Sequence, residues 1–489
     1  MSSAIVAGVP RRAAIGGRAL APVAARPLLV VVVLKCALGI GFAGRYGWQR
    51  DELYYAVAGR HLQGGYVEFP PVTALLSAAA RLLFGWSLVG FRAFPILAGA
   101  VTTIVAALVA RELGGGTRAQ VIAAATVAFS PLLLATNGLF QPVSFDQAAT
   151  MVFLWLVLRL ALGRGSWLAI GAAVGVGLET KYTLAVPLVL LVGAFLVWRR
   201  DALEARGVAA AAVVAAALMV PNLIWEAAHG WVSVHWFLNP PSSATDESRP
   251  QYLLDLVLQT NAVAVPVAVA GIVSLWRSRA VRPLAAATVG VAVAYFALGG
   301  KSYYAMPVVF FLLAAGAVEL DRRATRRRLV AYAVPYAAFF LVALPQVLPV
   351  LPLHTAISRG VVKSRSDYQD ELGWPDLAAQ VARLSGRAAV VLTRNYGEAG
   401  ALELFGRGLP PVASADVTFR YWRPSVSGRR ALLVGFGNVE ASGFCRGYQV
   451  AGRIRMPTDN EERGLPIARC VLDSTLARSW PRIVHATGW

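Results

Sequence analysis

Residues 47–71 read GWQRDELYYAVAGRHLQGGYVEFPP, and they follow directly on an apolar run, residues 27–43, that is long enough to enter a bilayer. The stretch crowds Arg50, Asp51, Glu52, Tyr54, Tyr55, Arg60, His61, Tyr66 and Glu68 into a chain that is otherwise mostly apolar. A polar cluster beside a bilayer costs free energy unless it faces water, protein or a substrate, so the cluster is a functional candidate and its apolar flanks are membrane segments. The rest of the chain agrees. It has 489 residues, 57% hydrophobic and only 15% charged, where a soluble domain carries about 25% charged residues. Apolar runs recur to about residue 352, which predicts a polytopic α-helical membrane protein. Beyond that point the composition is that of a soluble domain. The expected organisation is a cytoplasmic N-terminal segment (1–26), a transmembrane domain (27–352) and a small extracytoplasmic α/β domain (353–489).

The apolar runs predict about eleven spans, at 27–43, 88–110, 119–135, 147–162, 167–178, 183–198, 207–224, 253–276, 283–298, 304–320 and 329–351. Residues 73–84 are apolar but short and follow Pro70-Pro71, which suits an interfacial or re-entrant helix. With the N-terminus inside, the arginine-rich turns at 111–118, 159–164, 199–206, 277–282 and 322–328 all fall on the cytoplasmic side, as the distribution of basic residues requires. Counting 73–84 as a span would push the turns at 199–206 and 322–328 outside. The chosen threading puts the Asp51 cluster, Asp146, Lys181, the loop 222–249, Lys301 and the C-terminal domain on one outer face of the plasma membrane.

The formal charge of +20 is dispersed over these short turns rather than drawn into a phosphate-tracking stripe, so no nucleic-acid partner is expected. Arg11, Arg12, Arg18 and Arg26 ahead of the first apolar run read as a retained signal anchor. Cys36 falls in the first span. Cys445 and Cys470 either pair in an exported domain or remain as two buried thiols. Within the C-terminal domain, helices are predicted at 374–384 and 397–405 and strands at 388–393 and 431–435. The turn Asn395-Tyr396-Gly397-Glu398 is either a ligand-binding strand-to-helix turn or a structural one with Tyr396 packed inward.

Several residues can carry chemistry. Asp51 and Glu52 are adjacent and diverge by about 100° on a helix, so they do not form one clamp. Asp51 shares a face with Tyr54 and Tyr55, and is either a helix N-cap or a general base able to take a proton from an attacking hydroxyl or amine. Glu68, stiffened by Pro70-Pro71, orients a partner, binds a divalent cation or is a solvated surface carboxylate. Asp146 caps the fourth span or supplies a second acid beside Asp51. Lysine and arginine together number 46, yet lysine occurs only at Lys35, Lys181, Lys301 and Lys363. Two of these stand at outer span ends beside tyrosine, in Lys181-Tyr182-Thr183 and Lys301-Ser302-Tyr303-Tyr304. A compact ammonium beside a phenol suits a phosphate oxygen; the alternative is snorkelling in an aromatic belt. Lys35 lies inside the first span and needs a buried partner. His229 and His235 lack the i, i+4 spacing of a helical metal pair; they join Glu68 at a metal or serve as loop and interface residues. No P-loop, GxGxxG, HExxH or Asp-x-Asp motif is present, which leaves a nucleotide-driven pump or nucleotide-sugar enzyme unsupported.

The order Asp51-Glu52-Leu53-Tyr54-Tyr55, Glu68-x-Pro70-Pro71, Asp146, Lys181-Tyr182-Thr183, Pro221-Asn222-x-x-Trp225, Lys301-x-Tyr303-Tyr304 resembles the membrane-embedded C-type (GT-C) glycosyltransferases of the dolichyl-phosphate-mannose protein mannosyltransferase superfamily, aminoarabinose transferases included. The resemblance implies an inverting glycosyltransferase that moves a sugar from a polyprenyl-phosphate donor to a glycolipid, polysaccharide or protein acceptor. It puts Asp51 in the place of the first-loop acid and Asp146 in that of the second-loop aspartate, with Glu52, Tyr54, Tyr55 and Glu68 as acceptor and first-loop support. It matches Glu68 to a residue that binds metal in some relatives. Those relatives have lysine before the double proline, where this chain has Phe69. Lys181, Lys301, Tyr303 and Tyr304 are then the expected phosphate contacts. The rival reading, a lipid or sugar transporter, expects ionisable groups near span centres and repeat symmetry.

Overall fold

The computed structural model describes residues 20–239 and 247–487. Arg11, Arg12 and Arg18 of the expected cytoplasmic segment, and residues 240–246 of the loop ahead of Arg249, lie outside the described residues. Up to residue 347 the chain is a helical bundle: α1 (Ala25–Phe42), α2 (Arg50–Ala58), α3 (Val72–Phe84), α4 (Leu88–Glu112), α5 (Thr117–Ala128), α6 (Pro131–Asn137), α7 (Pro142–Ala161), α8 (Trp167–Leu178), α9 (Ala185–Trp198), α10 (Ala205–Ala228), α11 (Val232–Leu238), α12 (Arg249–Thr260), α13 (Val265–Arg277), α14 (Arg282–Leu298), α15 (Met306–Arg322) and α16 (Arg326–Val347). Among the described residues six helices are long and apolar enough to cross a membrane, and eight spans result if the two bent pairs each count as one. The protein is thus multi-pass.

Those bent pairs correct two of the expected straight spans. The α5–α6 break of 59° falls where Ser130 caps Leu133 and Pro131 brings no N–H to continue the ladder. The α12–α13 bend of 85° falls at Asn261, which adopts φ 82° and turns its side chain onto the Val263 N–H at 3.2 Å. α3 begins and ends at the same end of the bundle as α2. Its Ser77 hydroxyl donates to the Tyr55 carbonyl at 2.7 Å, and the Ser87 N–H reaches back to Phe84 at 3.2 Å.

The turns sort into two ends. At one, Glu112 gathers Arg111, Arg159 and Arg164, Arg118 pairs with Asp321, Arg199 donates to the Ala280 carbonyl and Ser274 to Glu319. The start of α1 is tied here too, through Ala24 N–H to Gln120. At the other end stand α2, Glu179, Lys181, Asn222 and Lys301. The Val72 N–H donates to the Glu179 carbonyl, and Asn222 to that of Gly64.

Short helices α17 (Leu353–Ser358), α18 (Val361–Ser364) and α19 (Ser366–Gln369) lead into the α/β domain: α20 (Trp374–Ser385), β1 (Val390–Thr393), α21 (Tyr396–Phe405), β2 (Val412–Ser414), β3 (Arg430–Val434), α22 (Asn438–Ser442), β4 (Cys445–Arg453), β5 (Pro466–Leu472) and α23 (Leu476–Ala486). The sheet order is β2-β1-β3-β5-β4. β1 pairs in parallel with β2 and β3, while β5 runs antiparallel to β3 and β4. The predicted strands are β1 and β3; β2, β4 and β5 are additions. Cys445 and Cys470 form a disulfide between β4 and β5. This domain is no separate bead. Trp48, Leu53, Phe91, Phe140 and Phe145 of the bundle share one apolar cluster with Trp374, Leu377, Val391, Leu432 and Ile467. α21 lies directly on α2 because Gly397 and Gly400 face it; a Cβ at Gly400 would stand 2.8 Å from that of Leu53.

Candidate active site

α2 is started by its neighbours, not by Asp51. The Gln49 side chain accepts the Asp51 N–H at 2.7 Å, and Glu52 accepts the Gln49 N–H at 3.0 Å. This frees the Asp51 carboxylate to point elsewhere, so the capping alternative for it is set aside. Its Oδ1 accepts the Tyr396 hydroxyl at 2.7 Å, and Oδ2 faces Gln141 Nε2 at 3.4 Å. Burial raises the Asp51 carboxyl above its ordinary value; Arg50, the Tyr396 hydroxyl and Lys301 pull the other way, and Asp367 adds to the rise.

Glu52 turns the opposite way and is fully buried. It receives Arg92 at 2.9 and 2.7 Å and the Phe140 N–H at 2.7 Å. Arg92 also donates to the Ala43 and Gly47 carbonyls at 3.0 and 2.8 Å and approaches Glu371 at 3.5 Å. Glu52 therefore acts on the first loop from behind, as the clamp that ties α1, α2, α4 and the entry to α7 together. Arg92 escaped the sequence reading, although a lone arginine in the first turns of a 25-residue apolar helix signals a buried partner.

α7 begins at Pro142, so Asp146 sits in its second turn and is not its cap. It is buried, with Thr150 Oγ1 at 3.5 Å, and Lys181 is the cation that acts on it. Lys181 lies 4.8 Å from the ring centre of Tyr304 and 5.6 Å from that of Tyr303. Lys301 acts on both Asp51 and Tyr304, and Tyr55 stands among Asp51, Glu68, Tyr396 and Tyr304. Neither Lys181 nor Lys301 has an ion-pair partner among the described residues. Asp51, Tyr55, Asp146, Lys181, Lys301, Tyr303 and Tyr304 thus converge on one neighbourhood, which is the juxtaposition their sequence order cannot display.

Glu68 lies on the far side of Tyr54. Its Oε2 accepts the Tyr54 hydroxyl at 2.8 Å and faces Thr418 at 3.4 Å, and burial lifts it to about 8. The metal reading of Glu68, His229 and His235 does not fit. His229 is engaged with the Trp225 carbonyl at 2.8 Å and stacked on the Trp225 ring at 4.1 Å, and His235 is exposed. No group of three His, Cys, Asp or Glu among the described residues could hold a metal ion, so no step is derived through one. Lys35 finds its partner in Asn137, whose Oδ1 accepts at 2.8 Å.

Acids and two lysines meet at one end of a multi-pass bundle, beside a small α/β domain, and the chain is similar to several known membrane proteins. Residues 68–225 match the family model described as dolichyl-phosphate-mannose-protein mannosyltransferase. The undecaprenyl phosphate-alpha-4-amino-4-deoxy-L-arabinose arabinosyl transferase of Pseudomonas aeruginosa (strain UCBPP-PA14) is 30% identical over 209 residues, 39% of this chain and 38% of that protein; the match with the enzyme of the same name from Pseudomonas paraeruginosa has the same extent. The chain thus spans about four-tenths of the length of the curated relatives it matches. The crystal structure of ArnT from Cupriavidus metallidurans in the apo state superposes with a TM-score of 0.61 at 17% identity, over 91% of this chain and 96% of that one. The same protein bound to undecaprenyl phosphate gives 0.61 at 15% identity, over 91% and 97%. The resemblance read from the motifs is borne out: residues 68–225 are similar to the protein mannosyltransferases, part of the chain is similar to the aminoarabinose transferases, and the fold is that of the ArnT structures.

Proposed function

We propose that this protein is an inverting glycosyltransferase that moves a sugar, of the pentose type handled by its aminoarabinose-transferase relatives, from a polyprenyl-phosphate donor to an acceptor at the outer face of the plasma membrane. The observation that carries this reading is the meeting of Asp51 and Asp146 with Lys181, Lys301, Tyr303 and Tyr304 at the end of the bundle opposite the arginine-rich turns. A prenyl donor dissolves in the bilayer and carries its phosphate at headgroup level. Lys181 and Lys301 receive that phosphate as point charges, with the tyrosine hydroxyls as added donors. The acceptor hydroxyl or amine attacks the anomeric carbon while the bond from that carbon to the phosphate oxygen breaks. Asp51 takes the proton of the nucleophile, and the two ammonium groups stabilise charge growing on the leaving phosphate. Asp146 orients Lys181. One displacement inverts the anomeric centre with no covalent intermediate.

The orientation is part of the proposal. Eleven traverses, counting each bent pair once and α8, α9 and α14 as short spans, would leave the arginine-rich turns cytoplasmic and the site and C-terminal domain extracytoplasmic. A transporter would expose mid-span charge along a path; Lys35 is instead 1% exposed and bonded to Asn137. The test is transfer by membranes supplied with a panel of radiolabelled polyprenyl-phosphate sugars. One donor of the panel supports transfer by the parent chain, Asp51→Asn lowers the rate by two to four orders of magnitude, and Lys301→Ala also cuts it sharply. Transfer undiminished by both substitutions overturns the site.

A further inference from the structure

The strand-to-helix turn after β1 is where α/β folds commonly bind ligands, and here it is pressed against the membrane-domain base. We propose that Tyr396, from the C-terminal domain, is a positioning residue of the transfer site: its hydroxyl holds Oδ1 of Asp51, so that Oδ2, which has only the long 3.4 Å contact from Gln141 Nε2, takes the proton. The inference rests on Asp51 being the base. Tyr396 reaches Asp51 across 345 positions of sequence at 2.7 Å, and its own placement is over-determined. Its N–H donates to Asp416 at 3.0 Å. Asn395 and Glu398 cap α21 reciprocally, with the Glu398 N–H on Asn395 Oδ1 at 2.8 Å and the Asn395 N–H on Glu398 at 3.3 Å. The ring packs 5.3 Å from that of Tyr54 beneath the Arg50 guanidinium at 5.6 Å. Gly397 and Gly400 allow the close approach of α21 to α2 that brings the phenol within reach. A side chain fixed from so many directions can hold a carboxylate in one rotamer, which a general base requires. The hydroxyl also favours the ionised carboxylate, so it both aims the base and keeps it unprotonated at lower pH.

The C-terminal domain is then a working part of the site. The test compares the full-length parent chain, Tyr396→Phe, Asp51→Asn and Glu403→Gln in the same transfer assay, following kcat, KM for the donor and the pH profile. Glu403→Gln breaks a different contact between the domains, the exposed Arg60–Glu403 pair at 3.0 Å, and serves as the docking control. Tyr396→Phe is expected to lower kcat on the order of tenfold with KM little changed, and to move the acidic limb of kcat/KM up by about one pH unit, because a hydrogen bond to the ionised form is lost. Glu403→Gln is expected to move neither. An unshifted limb and unchanged kcat in Tyr396→Phe, with Asp51→Asn inactive, overturns the positioning role alone. A shift of the same size in Glu403→Gln overturns it as well, by assigning the effect to docking. An active Asp51→Asn overturns the base and the positioning role together.

Discussion

The two ends of the bundle handle charge in opposite ways. At the arginine-rich end, acids are outnumbered and satisfied: Glu112 is shared by Arg111, Arg159 and Arg164, and Glu319 by Arg322 and Arg323. Most of these arginines are well exposed, so each pair is screened and worth about 0–1 kcal/mol. At the other end, the hydrogen bonds to Asp51 and Glu68 come from neutral side chains rather than from cations, while Lys181 rests on tyrosine rings and Lys301 has no ion-pair partner among the described residues. Ionisable groups in a buried site that lack a close ion-pair partner are costly to fold, and under the proposed function the donor phosphate supplies the opposite charge for the two lysines. One end is closed by ion pairs; the other is left electrostatically incomplete.

The largest expected effect falls on the clamp beneath the second end. Arg92→Leu strands Glu52 and Glu371 in a buried site without their shared guanidinium, and a loss of about 3–5 kcal/mol is expected, read as a lowered melting temperature of the purified protein in detergent. The comparison between ends is sharpened by removing one cation from each. Lys181→Met should lower transfer on the order of 100-fold with an unchanged melting temperature. Arg118→Ala, which removes the partner of Asp321, should cost at most about 1 kcal/mol and leave transfer as in the parent. Equal effects of the two would erase the distinction.

A smaller effect is expected from pH. Glu68 is lifted from an ordinary 4.5 to about 8 by burial, so the folded state binds its proton more tightly than the unfolded chain. The contribution is whole below about pH 4.5 and is lost as pH rises toward 8. Glu371 and Glu398, each lifted to about 8, act in the same direction. Melting temperature should therefore fall between pH 5 and 8, and Glu68→Gln should flatten part of that fall. A slope unchanged by the substitution would place the pH dependence elsewhere.

What the sequence disclosed follows from which interactions are local. Apolar run length and the placement of arginine are local signals, and they located the helices and gathered the arginine-rich turns at one end. The rarity of lysine singled out Lys181 and Lys301 before any contact was known. The partners of the first-loop residues were beyond reach, because Asp51 meets Tyr396 across 345 positions and Tyr54 meets Thr418 across 364. β4 was hidden for a different reason. Its burial pattern is largely exposed, without alternation, and its register against β5 slips at Arg446/Gln449 and Val450/Gly452, so the period of two that marks a strand is absent. Of the two readings for the histidines, the structure favours the interface one for His229: Trp225 and Tyr421 give it stacking partners, a demand that competes with metal binding and leaves no mark in spacing.

The claim on which the rest depends is that the incomplete end faces outward. It is tested by labelling single cysteines with a membrane-impermeant maleimide in intact cells, in a background where Cys36 is replaced by serine. Leu62, 53% exposed after α2, stands at the site end, and Arg327, exposed in the first turn of α16, stands at the other. The account predicts that Leu62→Cys is labelled without permeabilisation and Arg327→Cys only after it. Labelling of Arg327→Cys from outside, with Leu62→Cys protected, would contradict it.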